Sequence, residues 1–173
     1  MKILLSINNL RRGGAERVMT VIANYLVKAG YEVFLVTIGS SETQYFLDEN
    51  IKVIELNLNR PSQNIVNAIK NLIGRVIKLI SVFNAVKPDI CISFMTETNI
   101  MALLAGAYAN VPVIISERTN PGVHYTGGFY RVLRNVLYKK AKVLVVQTTK
   151  AQKFYQDRLG LSNIAVVPNP INL

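Results

Sequence analysis

Short apolar runs and helix-period segments take turns along this chain, and that alternation limits the folds open to it. Runs of strand length, rich in β-branched and aromatic residues, stand at 2–7, 31–38, 52–56, 90–94, 113–115, 143–147 and 164–167. After the first run, Val18, Val21, Ile22, Tyr25, Leu26 and Ala29 recur at the spacing of a one-sided helix. Gly30 closes that helix, where a left-handed cap is easiest for glycine. The longest helix is predicted over about 63–86, its stripe of Ile65, Ile69, Leu72, Ile73, Val76, Ile77, Ile80 and Phe83 packing on the sheet. Lys70, Arg75 and Lys78 fall on its other side. Further helices are predicted up to 109, around 129–137 and over 150–159, with 42–49 short helical or irregular. Strands alternating with helices predict an α/β domain: a doubly wound, mostly parallel sheet of six or seven strands with helices on both faces.

A chain of 173 residues suits one domain with a full core. The single cysteine, Cys91, sits in an apolar run, so it reads as a buried hydrophobe, and no intrachain disulfide is possible. Polarity returns by Asn8, too early for a signal peptide. The longest apolar stretch, 100–109, falls far short of the roughly 20 residues that span a bilayer. The formal charge of +10 is unevenly spread. Segment 60–87 holds five basic residues and segment 118–153 eight, and neither contains an acid. Such fields attract nucleic acid, anionic lipid or phosphorylated substrates alike, and a solvated basic surface would look the same.

Two motifs carry more chemistry than the rest. In the first, the opening strand empties into Leu10-Arg11-Arg12-Gly13-Gly14-Ala15-Glu16-Arg17. A strand, a Gly-Gly turn and a helix point backbone N–H groups and a helix N-terminus at one place, which suits a phosphate. Arg17, one turn into the helix, is free by spacing to point into such a cleft or away from it. The second motif is Ser116-Glu117-Arg118-Thr119-Asn120-Pro121, after the fifth run. Open α/β sheets place ligands at the carboxyl ends of their strands, where this pair of charges and the earlier Thr96-Glu97-Thr98-Asn99 would both lie. The threonines could equally cap the next helix. His124, the only histidine, has no partner at metal-ligand spacing, so no metal site is expected. Arg131, Arg134, Lys139 and Lys140 interleave with Tyr130 and Tyr138, a mixture suited to a membrane interface or a phosphate-bearing acceptor.

Gly-Gly-Ala-Glu-Arg after the first strand resembles the opening of family 4 glycosyltransferases, which have the two-domain GT-B architecture. Ser-Glu-Arg-Thr-Asn-Pro resembles the corresponding stretch in members that extend lipid-linked or polysaccharide acceptors. The resemblance covers the whole chain and matches the first of the two domains. It implies a Rossmann-like acceptor-side domain over 1–167, with 168–173 opening the linker to an absent donor-binding domain. It implies a retaining transfer of a sugar from a UDP- or GDP-sugar co-substrate to a glycan or lipid-linked acceptor, with no other cofactor and no metal. Gly13, Gly14 and Arg17 would then meet the donor diphosphate, and Thr96, Glu97, Asn99, Arg118, Asn120 and His124 the acceptor. The family often offers a histidine or an acid near the second motif; Glu117 is the nearest candidate catalytic group here. Arg131, Arg134, Lys139 and Lys140 would face an anionic membrane from the cytoplasmic side, on the inner face of the plasma membrane.

Competing classes fare less well. The first turn lacks Gly-x-Gly-x-x-Gly and the second strand ends Thr37-Ile38-Gly39 without an acid, which disfavours a nicotinamide dehydrogenase. No Gly-x4-Gly-Lys-Ser/Thr occurs, which excludes a Walker-type nucleotidase. A non-catalytic basic module binding anionic lipid or nucleic acid would explain the charge but neither motif, and no nucleic-acid partner is expected.

Overall fold

The computed structural model describes residues 1–58, 64–119 and 128–169. Its strands are β1 (Lys2–Ile7), β2 (Glu32–Thr37), β3 (Lys52–Glu55), β4 (Ile90–Phe94), β5 (Val113–Ser116), β6 (Val143–Val146) and β7 (Ile164–Val166). They form one sheet in the order β3-β2-β1-β4-β5-β6-β7, every pair parallel. The helices are α1 (Gly14–Lys28), α2 (Ile65–Val86), α3 (Thr96–Ala109), α4 (Gly128–Leu137) and α5 (Thr149–Leu159). A 3₁₀ turn, Tyr138–Lys140, follows α4. This is the Rossmann-like α/β architecture that the alternation of runs predicts.

Successive strand residues point to opposite faces, so each strand feeds two cores. On one face Ile3, Leu5, Ile7, Val33 and Leu35 pack with Val18, Met19 and Ala23 of α1. On the other, Leu4, Phe34, Val36, Cys91, Ile115 and Leu144 pack under α2, α3, α4 and α5. Gly30 takes φ +83°, the left-handed conformation expected after α1. Gly106 has a different job: a β-carbon there would stand 2.4 Å from Val113 Cγ2 and 2.8 Å from the Val111 carbonyl. Glycine lets α3 lie that close to β5.

Helix α2 departs from its predicted packing. Leu72, Leu79, Val82, Phe83 and Val86 are buried, but Ile65, Ile69, Ile73 and Ile77 are exposed, at 53, 40, 53 and 59%. Arg75, expected on the outer side, is buried and donates from Nε to the Leu58 carbonyl at 3.1 Å. The apolar stripe is wider than one seam, and packing on α3 selects the edge that Leu72, Arg75 and Leu79 share. The inward turn of Arg75 is stabilised by that carbonyl and by Glu97 Oε2 at 3.8 Å.

Candidate functional site

Because every strand runs the same way, all the strand-to-helix loops leave from one edge of the sheet. The strand order reverses between β1 and β4, which places a crevice between their outgoing loops. The loops before Gly13, Thr96 and Glu117 therefore share one edge, as the two sequence motifs require.

Gly13 is the N-cap of α1, with φ −176° and no side-chain cap. Neither Gly13 nor Gly14 has a positive φ, so the pair is not there for backbone strain. The space around them differs instead. A β-carbon on Gly13 would lie 2.2 Å from Oε2 of Glu16, which folds back over the turn; one on Gly14 would meet nothing within 4 Å. Tyr45 closes the turn from the 40–50 segment. Its hydroxyl accepts from Gly13 N–H at 3.2 Å and donates to the Gly13 carbonyl at 3.0 Å. Sequence reading missed Tyr45, since nothing local ties residue 45 to residue 13. Arg17 sits half-buried one turn further, its own N–H bonded to the Gly13 carbonyl at 3.0 Å.

Beyond β4, Met95 enters α3 with φ 76°, an uncommon conformation for a non-glycine residue, held by its N–H on the Ser116 carbonyl at 3.1 Å. That bond ties the β4 loop to the end of β5. Thr96 Oγ1 then donates to Glu117 Oε1 at 2.9 Å, and Tyr138 from the 3₁₀ turn donates to the same oxygen. Asn99 donates to the Ser116 carbonyl at 3.0 Å and to the Tyr138 hydroxyl at 3.3 Å. Glu117 is 3% exposed, and burial raises its pKa above the ordinary carboxyl range against the pull of Tyr138, Thr96 and the Arg134 cation. The same burial, with Glu117 beside it, pushes the Tyr138 phenol well up.

The other predicted positions sort by exposure. Glu97 is exposed and faces Arg75. Asn99 is fully buried, so it braces the site from beneath rather than reaching its surface. Arg118 stacks 4.8 Å from the Phe94 ring centre and bonds Asn169 Oδ1, which also accepts from Gln147 Nε2 at 2.7 Å. Among the membrane-facing candidates Arg131, Lys139 and Lys140 are exposed, but Arg134 is 7% exposed, set against the Tyr155 ring at 5.9 Å. Arg134 turns inward because Glu117, Tyr138 and Tyr155 lie under α4. Asn120 and His124 lie outside the described residues. Among those residues no cluster of His, Cys, Asp or Glu could hold a metal.

A recess of about 100 Å³ opens at this edge, lined by Glu117, Thr119, Gln147, Thr148, Lys150 and Ala151. A larger hollow of about 380 Å³ lies at the opposite edge, around Gly106, Asn110, Pro112 and Lys142. No motif, buried acid or helix N-terminus converges there, so volume alone does not make it the site.

Residues 12–173 match the model of Glycosyltransferase Family 4. The chain belongs to that family. The matched span takes in Gly13-Gly14-Ala15-Glu16-Arg17 and Ser116-Glu117-Arg118. A curated relative from Campylobacter jejuni is 31% identical over 170 residues, 98% of this chain and 46% of its own length. Its name is GalNAc-alpha-(1->4)-GalNAc-alpha-(1->3)-diNAcBac-PP-undecaprenol alpha-1,4-N-acetyl-D-galactosaminyltransferase. Among solved structures, Anabaena HepE in complex with UDP and glucose superposes with a TM-score of 0.73 at 18% identity, covering 99% of this chain and 45% of that one. A UDP-GlcNAc 2-epimerase from Neisseria meningitidis gives 0.65 at 18%, covering 98% of this chain and 46% of that one. One fold thus serves differently named enzymes. The family 4 chain spans a little under half the length of the curated relatives it matches.

Proposed function

We propose that this chain is the acceptor-binding N-terminal half of a retaining glycosyltransferase. The full-length enzyme moves a sugar from a UDP- or GDP-sugar to a lipid-linked or polysaccharide acceptor on the cytoplasmic side of the membrane. The observation that carries the reading is 31% identity, over 98% of this chain and 46% of the relative, with a transferase whose name includes PP-undecaprenol. Residues 1–167 form the acceptor domain, and 168–173 begin the connection to the donor-binding half. The bonds of Asn169 to Arg118 and Gln147 support that division, because they hold the start of the connection against the candidate cleft.

In this reading the departing diphosphate sits over the first turn of α1. Backbone N–H groups of Gly13 and Gly14 and the helix N-terminus stabilise its growing charge, with Arg17 contributing from the next turn. Tyr45 holds the Gly13 N–H, so its hydroxyl has to yield for a phosphate oxygen to take that donor. Open space beside Gly14 leaves room for the diphosphate. Glu117 borders the recess on the acceptor side, and its carboxyl, raised by burial, holds a proton more readily than an exposed one, as a proton-exchanging group needs. Thr96, Arg118 and Lys150 line the acceptor side, with no metal and no further cofactor; Asn120 and His124 keep only the acceptor role that the family resemblance implies.

The test is transfer by the full-length protein. Radiolabelled UDP- and GDP-sugars are offered with an undecaprenol diphosphate glycan, and the anomeric configuration of the product is read by NMR. Retained configuration supports the mechanism. An inverted product, or no product from any donor, defeats it.

A further inference from the structure

Asn169 draws together side chains from the ends of β5 and β6. The β6–β7 ladder runs to Val146 and Val166, and the Val167 N–H adds one more bond to the Val146 carbonyl at 2.8 Å. Two residues later Asn169 reaches Gln147, the residue after β6, and its Oδ1 accepts from Gln147 Nε2 at 2.7 Å. The same oxygen accepts from Nη2 of Arg118, which lies two residues past the end of β5. Val167 and Asn169 each precede a proline, which biases both toward extended backbone and stiffens the segment that carries the amide. Arg118 is half-buried, its guanidinium 4.8 Å from the centre of the Phe94 ring at the end of β4. Among the described residues it has no carboxylate partner, and its Nε has no hydrogen-bond partner. A guanidinium carries five N–H donors, and Asn169 engages this one through a single nitrogen. The cation is therefore held with donors to spare, beside the recess that Glu117, Thr119 and Gln147 line.

We propose that Asn169 is a positioning residue: with Gln147 it fixes the Arg118 guanidinium over Phe94, where the remaining N–H groups meet oxygen atoms of the acceptor. This role rests on the acceptor-side reading of Arg118. An arginine left free at the rim of a cleft samples many rotamers, and a ligand that orders it gives up binding free energy to that ordering. Here the ring restrains the guanidinium from one side and the Asn169 amide restrains its end, so the ordering precedes the ligand. An amide that only anchored its own segment would act on binding whether or not Arg118 were present.

The test is equilibrium binding, without donor, of tritiated undecaprenol diphosphate carrying the glycan written in the Campylobacter relative's name to the full-length protein in detergent. Arg118→Ala should weaken binding about tenfold or more, the scale of a lost hydrogen bond to a charged group. Asn169→Ala should weaken it about two- to tenfold, the scale of ordering one long side chain on binding. Asn169→Asp keeps an accepting oxygen for Arg118 and Gln147 and should bind within about threefold of the native protein. In the Arg118→Ala background, Asn169→Ala should add less than about twofold, because nothing remains to be positioned. Asn169 is exposed, so Asn169→Ala should melt like the native protein. Native binding that is absent, or that Arg118→Ala leaves unchanged, defeats the acceptor reading and the positioning role with it. Weak binding by Arg118→Ala with native binding by Asn169→Ala overturns the positioning role alone. So does a loss in Asn169→Ala that persists in full without Arg118, which would make Asn169 an anchor of its segment and nothing more.

Discussion

Tyr138→Phe removes one hydroxyl from the most connected buried polar cluster described. That hydroxyl donates to Glu117 Oε1 and accepts from Asn99 Nδ2 at 3.3 Å, and the tyrosine is fully buried. Phenylalanine fills the same space, so no cavity term enters. What remains is a buried carboxyl with one donor fewer and an amide with one acceptor fewer, which costs about 1–3 kcal/mol. For a chain of this size each kcal/mol moves Tm by about 2–4 °C, so a fall of about 2–12 °C is expected in calorimetry. Glu117→Gln tests the other partner. Because the folded carboxyl has a raised pKa, the folded chain holds that proton more tightly than the unfolded chain. Its contribution is complete below the ordinary carboxyl range and is lost as pH rises through the folded value. Each unit of the rise is worth about 1.4 kcal/mol. The native chain should therefore lose stability relative to Glu117→Gln as pH rises above about 4.5. Comparison with the variant cancels Glu32, Asp48 and Glu55, whose pKa values are lowered and act in the opposite sense. The double variant should show a coupling of about 0.5–3 kcal/mol. Additive effects with no pH-dependent difference would refute the cluster.

Gly14→Val should leave stability within about 0.5 kcal/mol, since the site is helical and open. In the full-length protein it should lower kcat by about 10²–10³, the scale for losing one preorganised donor to the leaving group. Near-native turnover would reduce the turn to a structural role. Gly13→Ala only pushes aside the flexible end of Glu16 and should be milder in both respects. Gly106→Ala should destabilise by about 1–3 kcal/mol in urea unfolding without touching the cleft, because the new methyl meets the Val111 backbone. Residues 1–173 alone should turn over no nucleotide-sugar, which product chromatography would check.

The period of the apolar runs is a local property of the chain, and it located all seven strands and the five helices to within a few residues. The Gly-Gly turn and the Ser-Glu-Arg segment were legible for the same reason: each is a contiguous motif at the end of a strand. Parallel pairing then obliged them to share an edge. Periodicity could not say how α2 is rotated, because its apolar residues cover more than one seam. The shape of α3 selected Leu72 and Leu79 and left Ile73 and Ile77 outside. Nor could it say that Arg75 and Arg134 turn inward, since a charge is buried only where distant partners meet it. Those partners are the Leu58 carbonyl for one and the Glu117–Tyr155 cluster for the other. Tyr45 on Gly13 and Tyr138 on Glu117 join residues 32 and 21 positions apart. Contacts across such separations are set by how the sheet brings its loops together, and no local pattern encodes them.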